Sequence, residues 1–171
     1  MGMFSFNLAF RRPAKANWEE LRPVIEKMIA HFEATATDLS EDLPGYGLMS
    51  LDPETGMQLP ETAQQISLLT GDYAVTAQIV DSDFSLMRLY YNGELLEESC
   101  IGNMYDEFAD FYCVDKPDTE LWKPLLLDRE REEELQSALQ GDEAFAEDQL
   151  QALSKLTGIP IFDYNLFDTF A

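Results

Sequence analysis

The sequence predicts an α+β fold, an antiparallel β-meander sheet packed against an N-terminal helix and C-terminal helices. Three observations carry it. Residues 73–101 alternate apolar with polar or small positions and are cut by Asp81-Ser82-Asp83 and by Asn92-Gly93. Near the N-terminus, Trp18, Leu21, Ile25, Met28, Ile29 and Phe32 recur at helical spacing. Beyond residue 117 the pattern turns helical again, with Leu135 and Leu139 in one segment and Leu150, Leu153 and Leu156 in the next.

The elements follow in order. Phe4, Phe6, Leu8 and Phe10 alternate with Ser5, Asn7 and Ala9, which predicts a strand with one strongly apolar face; Arg11, Arg12 and Pro13 end it. Asn17 predicts a helix cap, with Glu19 and Glu20 in the favourable first turn. Pro23 inside that helix predicts a kink or a restart near residue 22. Residues 37–62 are acidic and hold Pro44, Pro53, Pro60 and three glycines. They read as a long connection with a short strand at 46–51 and a tight turn at 52–56. Residues 64–69 fit helix and strand equally.

The meander is the best-defined unit. Strands at 73–79, 84–91 and 94–101 are joined by an Asp-Ser-Asp turn and by Asn92-Gly93, the dipeptide that type I′ hairpins favour because both positions need positive φ. Residues 119–127 predict a short helix that Pro124 breaks. Asp128 caps a helix running to Gly141, and a further helix spans about 143–156 with Phe145, Leu150, Leu153 and Leu156 buried. Gly158 and Pro160 stop it, and the aromatic tail at 161–170 is expected to dock on the core. Together these make a single domain over 1–171, with a long loop at about 37–62 and a helical part at about 117–158. A meander flanked by helices predicts a sheet covered on one face, leaving a second, solvated face free to carry acid.

Charge is the outstanding property. The chain has 33 Asp plus Glu against 11 Lys plus Arg, a formal net charge of -22. A small soluble domain needs only about 2 to 8 in magnitude. Residues 33–115 hold 17 acids and one base, Arg88. Such a field repels nucleic acid and anionic membranes and attracts cationic proteins.

The motifs of common chemistries are missing. Neither GxxxxGK[ST] nor GxGxxG occurs. His31 is the only histidine and lies at the margin of a helical stripe, so it reads as a surface or boundary residue. Cys100 follows Glu97 and Glu98, whose charge opposes thiolate formation, and Cys113 between Tyr112 and Val114 reads as core. Both are expected as reduced thiols of a cytoplasmic protein. Asp81 and Asp83 resemble the start of a calcium loop, but Ser85 and Leu86 stand where that loop needs an Asp or Asn and a Gly. No apolar run approaches the roughly 20 residues of a membrane span. No catalytic residue, cofactor or metal is therefore assigned.

What remains is a binding reading. The candidate partner-binding residues are Asp81, Asp83, Glu94, Glu97, Glu98, Asp106, Glu107 and Asp110, with Tyr91 and Tyr105 as aromatic anchors inside the charged rim. In overall character (small, acidic, α+β and free of motifs) the chain resembles bacterial immunity proteins. That resemblance implies an inhibitor that covers a basic toxin or nuclease domain. The alternatives are a nucleic-acid mimic, an adaptor whose charge serves only solubility, and an enzyme with a site the motifs do not reveal.

Overall fold

The computed structural model describes residues 2–13, 15–38, 45–102, 115–141 and 145–163. Strand β1 (Ser5–Arg11) leads to helix α1 (Lys15–Ile29), strands β2 (Thr35–Asp38) and β3 (Gly45–Ser50), and helix α2 (Pro53–Thr70). The meander β4 (Tyr73–Val80), β5 (Phe84–Tyr91) and β6 (Glu94–Gly102) follows. The C-terminal part holds α3 (Thr119–Trp122), short 3-10 turns at Lys123–Leu125 and Arg129–Arg131, α4 (Glu132–Gln140) and α5 (Ala146–Thr157). This is the expected α+β class, with helices before and after an antiparallel meander.

The six strands lie in the order β2-β3-β1-β4-β5-β6, and every neighbouring pair is antiparallel. Both meander turns form as the sequence predicts. Asn92 and Gly93 have φ of 47° and 84°, and Asp81 and Ser82 have 51° and 62°, the sign that type I′ turns require. Between β5 and β6 the register shifts: Leu89 faces Glu97 but Tyr90 faces Leu95, so Leu96 is one residue in excess.

Helices cover the sheet on both faces, which overturns the expected solvated face. On one side Leu8, Phe10, Leu48, Ala74 and Tyr90 lie under α1 and α2, against Trp18, Ile25, Leu59, Ala63 and Ile66. On the other, Val75, Ala77, Ile79, Met87 and Leu89 lie under the C-terminal helices, against Trp122, Leu135, Leu139, Leu150 and Leu153. The sheet is the middle of three layers.

The α2 part of the first cover comes largely from the segment read as a long connection. Residues 53–70 form a helix of 18 residues. Its prolines and glycine do not mark a loop. Pro53 opens the helix, where a missing N–H costs nothing. Asp52 caps it, with Oδ2 accepting from the Thr55 N–H at 2.9 Å and from the Thr55 hydroxyl at 2.8 Å. Gly56 lets the helix press onto β1: a Cβ there would sit 2.3 Å from the Phe6 ring. The strand inside the same segment, β3, falls where the sequence places it.

Helix boundaries differ in smaller ways. The α1 helix begins at Lys15 and runs unbroken through Pro23, so Asn17 lies inside the helix and is not its cap. Pro23 is exposed, where water can take the carbonyl that loses its intrahelical donor. Helix α5 starts at Ala146, and Phe145, expected in the buried stripe, flanks the helix and is 51% exposed. Gly158 ends α5 in the left-handed region with its N–H on the Ser154 carbonyl, as expected. Pro124 breaks the 119–127 segment into α3 and a 3-10 turn. Of the aromatic tail, Ile161 and Phe162 are buried, and 164–171 lie outside the described residues.

Candidate binding surface

Among the described residues, those singled out by charge go to four different places. Asp81 and Asp83 sit in the β4–β5 turn, where Asp81 Oδ1 accepts from the Gly2 N–H at 2.9 Å. Glu94 opens β6 at the other end of the meander and pairs across the strands with Tyr91. Strands of this length put about 25 Å between the two ends. The sheet therefore separates these carboxylates. Tyr105, Asp106, Glu107 and Asp110 lie outside the described residues.

Glu97 and Glu98 have partners within the protein. Glu97 is half-buried on the C-terminal-helix side: Oε2 accepts from the Asp118 N–H at 2.7 Å and Oε1 from the Trp122 indole at 3.1 Å. It holds α3 against β6. Glu98 points to the opposite face and pairs with Arg88 at 3.4 Å, directly across the strands. Arg88, the only base in residues 33–115, also borders a shallow open depression beside α2. Phe6, Gly56, Leu59, Thr76 and Gln78 line it too. Its walls bring no histidine, cysteine or carboxylate.

The hairpin end at Asn92-Gly93 unites two of the expected residues. Tyr91 is 41% exposed and lies beside Glu94. Its ring packs on Tyr73, with centroids 4.5 Å apart. The Arg11 guanidinium lies 5.1 Å from the Tyr73 ring, while its Nε donates to Asp72 at 2.9 Å and its NH1 to the Pro124 carbonyl at 3.2 Å. Tyr91 is thus an exposed aromatic on a braced support. Leu68 of α2 packs beside Gly93 and is 63% exposed, and Leu95 of β6 is 44% exposed. The Gln64 amide donates to the Gly93 carbonyl at 2.9 Å, tying α2 to the turn. Sequence reasoning missed Leu68 because it falls in a stretch that fits helix and strand equally.

His31 is exposed, with its ring against Phe32. Cys100 is buried, and burial pushes its thiol up to about 11, with Lys116 pulling the other way. The neighbouring glutamates, invoked from sequence, are not what raises it. Cys113 lies outside the described residues. Among the described residues no group of three His, Cys, Asp or Glu side chains could hold a metal ion. Nor is any helix among them long and apolar enough to cross a membrane. No family model, curated protein or solved structure matches this chain.

Proposed function

We propose that this chain is a protein-binding module that captures a cationic partner, with the β5–β6 hairpin end as its contact point. The observation that carries the reading is the pairing of Tyr91 and Glu94 at an exposed end of a chain of net charge -22. Long-range attraction steers a basic protein toward the molecule and raises the encounter rate. Short-range adhesion then falls chiefly to Tyr91, since a few aromatic anchors supply most of the energy of an interface, and the exposed Leu68 and Leu95 add apolar area. Tyr91 packs on Tyr73, which Arg11 braces in turn, so little side-chain freedom is lost on binding.

The partner class that fits is a compact basic domain, such as a toxin or nuclease held inactive by the acidic protein. Nucleic-acid mimicry has less support, because it needs an extended file of carboxylates spaced like phosphates. Here Asp81 and Glu94 lie at opposite strand ends and Glu98 between them is paired with Arg88. The test is retention of a basic protein on the immobilised chain at low salt, compared with a Tyr91→Ala, Glu94→Gln column. A basic protein held by the first column and released by the second supports the reading. Failure to retain any basic protein, or equal retention by both columns, refutes it.

A further inference from the structure

The C-terminal layer meets the sheet at the β4–β5 turn, and one residue joins three segments there. The Ser82 hydroxyl accepts from the Met3 N–H at 2.7 Å, its N–H donates to the Met3 carbonyl at 3.0 Å, and its carbonyl accepts from the Ala146 N–H at 2.8 Å. Ser82 thereby ties the entry to β1 and the first residue of α5 to the same turn. Next along α5 is Glu147. It is only 6% exposed, and its Oε2 has no hydrogen-bond partner.

A carboxylate in that position is costly. Ionisation would leave a buried charge with one oxygen unsatisfied. The charged groups acting on it are Asp83 from the turn and Asp148 from its own helix, both acids; Asp81 lies in the same turn with its carboxylate on the Gly2 N–H. The helix dipole favours an anion in the first turn, but such effects amount to about 0.3–1 kcal/mol and are smaller than a buried unpaired charge. Burial is the largest influence and raises the Glu147 carboxyl above its ordinary 4.5. Its own backbone N–H and the Ser82 hydroxyl act in the opposite direction, and Asp148 and Asp83 add to the rise.

We propose that Glu147 is a proton-sensitive latch: in its neutral form it lets α5 close onto the β4–β5 turn, and on ionising it loosens the joint between the C-terminal layer and the sheet. This inference does not depend on the binding reading. A group whose value is raised in the folded state contributes stability that is complete below its unfolded value, here 4.5, and is lost as pH rises through the folded value. The joint therefore tightens on acidification.

The experiment is an NMR titration of the Glu147 carboxyl carbon with amide exchange of Ala146 in the intact chain. The expected result is a midpoint above 4.5 and an Ala146 protection factor that falls as pH rises through it, by about tenfold for each unit of displacement. Glu147→Gln should hold the protection factor level over the same range. Should that variant fail to fold, Asp83→Asn serves instead, by lowering the wild-type midpoint. A Glu147 midpoint at or below 4.5, Ala146 protection with the same pH course in wild type and Glu147→Gln, or a midpoint unmoved by Asp83→Asn overturns the proposal.

Discussion

The indole N–H of Trp122 donates to Glu97 at 3.1 Å, joining a fully buried aromatic of the C-terminal layer to a carboxylate of the edge strand β6. The second oxygen of Glu97 accepts from the Asp118 N–H. Glu97→Ala removes the acceptor of both bonds and leaves the buried indole N–H without a partner. Hydrogen bonds to charged groups are worth about 1.5–3 kcal/mol. Because Glu97 is half-exposed, a loss of about 2 kcal/mol is expected, which lowers Tm by roughly 4–8 °C in a chain of this size. Glu94→Ala, at an exposed strand position opposite Tyr91, should stay within about 0.5 kcal/mol. Urea denaturation of the two variants decides, and equal midpoints would show that Glu97 holds nothing together.

Gly56 offers a prediction in which helix propensity and packing have opposite signs. Alanine is better than glycine inside a helix by about 1 kcal/mol. At this position, however, the new methyl would fall 2.3 Å from the Phe6 ring. Overpacking costs about 1–3 kcal/mol. Gly56→Ala should therefore destabilise the protein, and Phe6→Leu in the same background should recover part of the loss. A Gly56→Ala variant with a raised urea midpoint would mean that α2 does not press on β1 as described.

Cys100 should be chemically silent in the folded protein. With its thiol pushed up to about 11 by burial, the thiolate fraction at pH 8 is about one in a thousand. In a Cys113→Ser background, a thiol reagent at pH 8 is expected to label Cys100 slowly in buffer and rapidly in urea. Equal rates under the two conditions would contradict the burial of this residue.

The sequence makes the meander legible because each of its signals is local. Asn92-Gly93 can satisfy two positive φ values with little strain, and the flanking alternation sets the register. The α2 helix beside α1 is not legible in the sequence, and the cause is specific. Ala74 and Thr76 are buried beneath α2 but are small or polar, so the face they form reads as solvated. Pro53, Gly56 and Pro60 read as loop residues, whereas the first opens a helix and the second allows it to approach Phe6. Only the tertiary contact gives Gly56 its meaning.

The candidate surface was legible in part. Tyr91 and Glu94 are brought together by a turn that the sequence announces. The placing of Glu97 toward Trp122 follows from the register shift at Leu96, and nothing in the order of residues signals a bulge there. Asp81 and Glu94 are close in composition terms yet lie at opposite strand ends, because a hairpin of two long strands separates its turns.

The binding reading stands or falls on the kinetics of association with the basic protein retained at low salt, measured by stopped flow from about 20 to 300 mM salt. The account predicts an association rate that drops steeply with salt, because the field of the acidic chain is screened. It also predicts that Tyr91→Ala leaves that rate near wild type while speeding dissociation by about tenfold or more, the mark of an anchor residue. Association that ignores salt, or a Tyr91→Ala complex that dissociates at the wild-type rate, would contradict it.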